Sequence, residues 1–125
     1  MPDRPKDTGR RILFSAQKNE GPFLLEWIAY HKVVGFTDII IFSNDCTDGS
    51  DDMLDALARA GEIQHFRHSP ETGQSPQLRA AEIAMESGLF RFGDWVMWLD
   101  SDEYLVLNVG KGTIPDFLAS IGEVD

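Results

Sequence analysis

The sequence predicts an α/β fold, a three-layer sandwich on a mostly parallel central sheet. Three observations predict it. Short runs of β-branched and aromatic residues alternate with segments of helical periodicity. The runs are continuously apolar, as in strands covered on both faces. Three of them end in polar clusters, as strands of open parallel sheets do where they meet ligands. With 125 residues, 42% of them hydrophobic, the chain can build one compact core but not two.

Residues 1–10 contain two prolines, one glycine and five charged side chains without apolar periodicity, the pattern of a poorly ordered leader. The domain is therefore expected over residues 11–125. Ile12, Leu13, Phe14 and Ser15 form a first strand that delivers the polar stretch Gln17, Lys18, Asn19, Glu20. Gly21 and Pro22 open a helix in which Leu24, Trp27, Ile28, His31 and Val34 recur at helical spacing, with Gly35 as the stop. Asp38 to Ser43, carrying Ile39, Ile40, Ile41 and Phe42, is the second strand, with Asn44 to Gly49 as its polar tail. Ser50 is expected to cap the next helix, with Asp51 and Asp52 near its positive end, Leu54 and Leu57 inward and Gly61 at its close. A weaker strand follows from Ile63 to Arg67. Ser75 and Pro76 open a third helix, with Leu78, Ala81, Ala84 and Met85 as its apolar residues and Gly88 as its end. Trp95 to Leu99 is the fourth strand, expected to be buried, and Gly112 to Gly122 a short helix entered through Thr113 and Pro115. Trp27, Trp95 and Trp98 are expected in the core.

Acidic residues outnumber Lys plus Arg by 21 to 11, for a formal charge of −10, which sets the chain's field against nucleic acid. An acidic excess still suits a divalent cation, which brings phosphate groups with it. A single cysteine, Cys46, excludes an intrachain disulfide and a cysteine zinc cluster, and fits a reducing compartment. The N-terminus lacks a signal-peptide core, and no run approaches the roughly 20 apolar residues of a membrane span. A cytoplasmic protein is expected, with peripheral attachment at an inner membrane left open.

The sharpest chemical signal is Asp100, Ser101, Asp102, Glu103, reached from an apolar strand without an intervening turn residue. In an extended segment Asp100 and Asp102 point to one face and can approach one hard cation, magnesium or manganese, whose octahedron waters and ligand phosphates complete. The competing reading is a strand-end turn of solvated acids. Asn44 to Ser50 can grip a ribose or base, or serve as an ordinary turn and helix cap. As a calcium loop it is disfavoured by Cys46 in a ligand position and by Asp55 where a bidentate Glu belongs. Gly110, Lys111, Gly112 and Thr113 echo the end of a phosphate loop without its upstream glycine spacing, and read as a turn with Thr113 as cap. Arg79, in the first turn of the third helix, is within reach of a phosphate or base if it is not simply solvated. His31, His65 and His68 have no metal-site spacing and read as structural.

The ordered set Lys18-Asn19-Glu20, then Leu25-Glu26-Trp27-Ile28 with Tyr30-His31, then Asn44-Asp45-Cys46-Thr47-Asp48-Gly49, then Leu99-Asp100-Ser101-Asp102-Glu103-Tyr104 resembles family 2-like glycosyltransferases of the GT-A fold. The resemblance spans roughly residues 11 to 107. It implies a nucleotide-sugar donor, a divalent metal, and transfer of the sugar to an acceptor that is a glycan, lipid or protein. By position, Asp100 and Asp102 match the family's DxD motif, which engages metal and diphosphate, and Lys18, Asn19 and Glu20 border the nucleotide. Ser43 and Asn44 stand where many relatives carry two aspartates, the second contacting base or ribose, so Asn44 keeps a carbonyl acceptor but loses the charge. Asp48 matches the later aspartate of that loop, where it also suits a capping role.

In this fold the acceptor side and general base come from sequence beyond the DxD strand, and only 23 residues follow Asp102. The expectation is a donor-binding half, incomplete at its C-terminus, with the base beyond Asp125. Two other functions fit the acidic strand end. One is a magnesium-dependent phosphatase with Asp100 as nucleophile, against which Tyr104 stands where a small residue belongs. The other is a non-catalytic module that binds nucleotide or a partner without turnover.

Overall fold

The computed structural model describes residues 7–18, 21–44, 46–70, 73–108 and 110–121. In chain order the elements are β1 (Arg11–Gln17), α1 (Gly21–Val34), β2 (Asp38–Ser43), α2 (Ser50–Arg59), β3 (Gln64–Arg67), α3 (Pro76–Glu86), β4 (Trp95–Trp98) and α4 (Ile114–Ile121). The strands form one four-stranded sheet in the order β3-β2-β1-β4, with every pairing parallel. β1 lies between β2 and β4, so that Leu13 faces Ile39 on one side and Met97 on the other.

Side-chain alternation along β1 and β2 divides the core into two layers of packing. Leu13, Ile39 and Ile41 join Leu24, Trp27, Ile28 and Val34 of α1, Leu54 of α2 and Ile114 of α4 on one face. Ile12, Phe14, Ile40 and Phe42 meet Ala80 and Ala84 of α3 on the other. Helices on both faces are why these strands read as continuous apolar runs. The α/β three-layer sandwich read from the sequence is the architecture found.

The inward face of α1 is the one its spacing predicts, with Leu24, Trp27, Ile28, His31 and Val34 all buried. Gly35 ends it in a left-handed conformation, φ 123°, where a Cβ would lie 2.9 Å from Pro115 Cδ. Glycine there serves both the backbone angle and the close approach of α4.

Three expectations are corrected. Ser50 is the first residue of α2, not its cap; the Asp48 carboxylate accepts from Ser50 N (2.9 Å) and from its hydroxyl. Ser75 and Thr113 do cap their helices, accepting from Leu78 N at 3.4 Å and from Asp116 N at 3.4 Å. On α3 the buried residues are Ala80 and Ala84, while Leu78 and Met85 are 68% and 70% exposed. Small residues let α3 sit close to the sheet, and the larger side chains fall on its outer side. β4 ends at Trp98 and is not buried: Trp95, Val96 and Met97 are 39–48% exposed, because among the described residues β4 is an edge strand with β1 on one side only. Trp98, by contrast, packs on Phe14 with ring centroids 4.8 Å apart.

Of residues 1–10, residues 7–10 run beside the turn before β4: Thr8 N donates to Gly93 O at 3.2 Å, and Arg10 pairs with Asp94 at 2.8 Å. Residues 1–6 lie outside the described residues.

Candidate functional site

The carboxyl ends of β1 and β4 open into a cleft of about 390 Å³ lined by Ala16, Gln17, Lys18, Gln77, Asp100, Ser101 and Asp102. Parallel neighbouring strands place their C-terminal loops at the same edge, which is how residues 16–18 and 100–102 meet. Gln77 arrives from the first turn of α3.

Asp100 to Glu103 is a tight turn, not the extended segment expected. Glu103 N donates to Asp100 O at 3.0 Å, and Asp100 N donates to the Glu103 carboxylate at 2.8 Å. The same-face argument for the two aspartates therefore fails, yet both still line the cleft because the turn folds them over its rim. Asp100 Oδ1 accepts from Gln77 Nε2 at 3.1 Å and from Trp98 Nε1 at 3.3 Å. Asp102 is exposed and forms no hydrogen bond or ion pair among the described residues.

Gln17 is 4% exposed; its Nε2 donates to Ser15 Oγ at 3.2 Å, and its Oε1 is buried with no partner among the described residues. An orphaned buried carbonyl oxygen beside a polar cleft is costly unless a ligand or water donates to it. The sequence places Gln17 at a polar strand end without a binding role and gives Gln77 no role. The position of Gln17 at a strand end was the available signal, whereas Gln77 needs the placement of α3.

The other expected site residues divide. Lys18 lines the cleft; Asn19 and Glu20 lie outside the described residues. Asn44 is 8% exposed and extends the β2 pairing through its N–H to Gln17 O at 3.1 Å, outside the cleft lining. Asp48 holds the start of α2. Arg79 reaches Glu82 on its own helix at 3.3 Å and does not line the cleft.

Two carboxylates of oxygen-ligand type, one of them unpartnered, suit a magnesium or manganese ion that draws its other ligands from phosphate and water. Among the described residues no group of three or more His, Cys, Asp or Glu side chains converges, so those residues alone build no closed cage.

The family model of glycosyltransferase family 92 matches residues 15–124. The chain belongs to glycosyltransferase family 92. A family 92 protein of Ricinus communis is 30% identical over 94 residues, covering 74% of this chain and 16% of that protein. A family 92 protein of Oryza sativa subsp. japonica is 27% identical over 104 residues, 81% of this chain and 17% of that protein. The chain thus spans about one-sixth of the length of these curated relatives. The crystal structure of S. aureus TarS superposes with a TM-score of 0.60 at 17% identity, over 90% of this chain and 19% of that one. This likeness shows a shared fold, consistent with the GT-A type. The family 2-like resemblance and membership of family 92 agree on a glycosyltransferase. Among the described residues no helix is long and apolar enough to cross a membrane.

The histidines are structural in this family 92 chain. Ser43 Oγ, His65 and Asp55 form a hydroxyl–imidazole–carboxylate chain with both distances 2.7 Å. Ser43 is 2% exposed and is not among the residues lining the cleft, and the chain joins β2, β3 and α2. His68 spans Ser43 O at 3.0 Å and Pro76 O at 3.1 Å, tying β2 to the start of α3.

His31 is fully buried, and burial holds its pKa below the ordinary 6.5. The hydrogen-bond network assigns the proton to Nδ1, which donates to Trp27 O at 2.8 Å, leaving Nε2 to accept from Leu105 N at 3.2 Å. A depressed histidine pKa means that the unfolded chain binds the extra proton first. Its contribution is therefore complete above pH 6.5 and is lost progressively as the pH falls from there toward the folded value. Urea unfolding at neutral pH and near pH 5 should show this loss, and His31→Gln should flatten it.

Proposed function

We propose that this chain binds the diphosphate of a nucleotide-sugar through a divalent cation held by Asp100 and Asp102, as the donor site of a metal-dependent sugar transferase. The observation that supports it is the cleft at the carboxyl edge of a parallel sheet, lined by Asp102, which has no partner among the described residues, by a fixed Asp100, and by Gln17, whose Oε1 is buried without a partner among them.

Each residue has a task in that reading. Gln77 and Trp98 hold the Asp100 carboxylate so that it need not reorganise on binding. Asp102 meets the cation at the open rim. Gln17 Oε1 accepts from a donor hydroxyl or base N–H group, and the Lys18 ammonium adds positive charge near the phosphates. When bound, magnesium or manganese neutralises charge developing on the leaving nucleoside diphosphate. The acceptor is a glycan, lipid or protein hydroxyl whose proton must pass to a general base. Glu103 and Asp116 are not offered for that role, since their carboxylates accept from Asp100 N and Lys111 N, both at 2.8 Å.

Titration calorimetry with manganese and a panel of nucleoside diphosphates tests the reading. Binding of at least one diphosphate in manganese, lost on chelation, is the expected result. Equal binding with and without manganese, or none across the panel, overturns it.

A further inference from the structure

The acidic turn is anchored differently on its two sides. Before it, Leu99 N donates to Phe14 O of β1 at 3.3 Å, continuing the sheet. After it, residues 104–108 form no regular element, and side chains of one helix meet the backbone of Glu103 and Leu105. Trp27 Nε1 donates to Glu103 O at 2.9 Å, Tyr30 OH donates to Leu105 O at 2.7 Å, and Leu105 N donates to His31 Nε2. The Tyr104 ring lies against those of Tyr30 and His31, with centroids 5.0 and 5.6 Å away.

We propose that Tyr30 and His31, with Trp27, are positioning residues that clamp residues 103–105 onto α1 and thereby set where Asp100 and Asp102 stand in the cleft. The inference rests on the donor-site reading for its functional consequence, and on geometry alone for the clamp. Glu103 is bonded twice to Asp100, once through each backbone N–H, so a displacement of Glu103 is carried to both aspartates. α1 is a suitable anchor because Leu24, Ile28 and Val34 bury its inner face in the core. The aromatic and imidazole groups at positions 27, 30 and 31 thus supply side-chain hydrogen bonds where a further sheet partner is absent among the described residues.

Amide exchange and ligand binding together test this. Tyr30→Phe removes one hydroxyl with little change of shape, His31→Leu removes both ring partners, and His31→Gln keeps an acceptor for Leu105 N. Ile28→Val serves as a control that weakens the same helix in the core without touching the clamp. Exchange at Glu103 and Leu105 is expected to rise about fivefold in Tyr30→Phe and His31→Leu, the effect of one lost hydrogen bond. His31→Gln should restore most of the protection at Leu105, and Ile28→Val should leave both amides slow. Equal exchange in the clamp variants and the control overturns the clamp. Manganese-dependent binding of the diphosphate identified for the parent protein should weaken by a similar factor in Tyr30→Phe and His31→Leu, and unchanged affinity overturns the positioning role. A parent that binds no diphosphate would defeat the donor-site reading, while the exchange result would still decide the clamp.

Discussion

Asp102→Ala is expected to weaken manganese-dependent nucleotide binding about a hundredfold or more while the melting temperature stays within about two degrees of the parent. The first expectation follows from the ligand count. Among the described residues two carboxylates line the cleft, and even outer-shell changes around a metal cost about 10–100-fold in affinity. The second follows from exposure: Asp102 has no protein partner among the described residues, and surface substitutions of that kind change stability by about 0.5 kcal/mol or less. Asp100→Asn separates the two carboxylates. Gln77 Nε2 and Trp98 Nε1 both donate to Oδ1, a place the asparagine carbonyl oxygen can fill, so this variant should keep the turn and lose affinity through the missing charge. Calorimetry paired with thermal melts reads both effects. Undiminished binding by Asp102→Ala would remove Asp102 from the site.

The largest effect on stability is expected from Trp27→Ala, a loss of about 3–5 kcal/mol. Trp27 is fully buried between α1 and the sheet, within the cluster containing Leu13, Ile39 and Ile41. Its removal leaves a large cavity in a core that relaxes only partly, and strands the Glu103 carbonyl that its indole N–H satisfies. For a chain of this length the loss corresponds to a fall in melting temperature of roughly 10–20 °C. Trp27→Phe should recover much of the packing without the hydrogen bond. Urea unfolding of the two variants would separate these contributions, and a Trp27→Ala protein as stable as the parent would contradict the core assignment.

Much of this architecture is legible along the chain because its signals are local. The buried face of α1 repeats at helical spacing, β1 and β2 are continuous apolar runs, and Ser75, Pro76 and Gly88 mark the limits of α3. Reading the face of α3 fails for a physical reason. Leu78 and Met85 have the larger apolar surfaces, but the space above Phe14 and Phe42 admits small residues, so Ala80 and Ala84 face inward. β4 misleads in the same way: its composition is that of a covered strand, whereas exposure depends on which strands flank it.

By itself the sequence determined the parallel α/β class, the polar strand ends and the place of Asp100 and Asp102 at one of them, because side-chain type and spacing carry all three. Only the tertiary structure decided that the acidic pair sits in a turn, that Gln17 and Gln77 share its cleft, that Asn44 and Arg79 do not, and that α1 holds the far side. Those relations depend on distances between segments far apart in sequence, such as Trp27 and Glu103, 76 residues apart. No local pattern specifies such distances; the packing of helices against both faces of the sheet sets them.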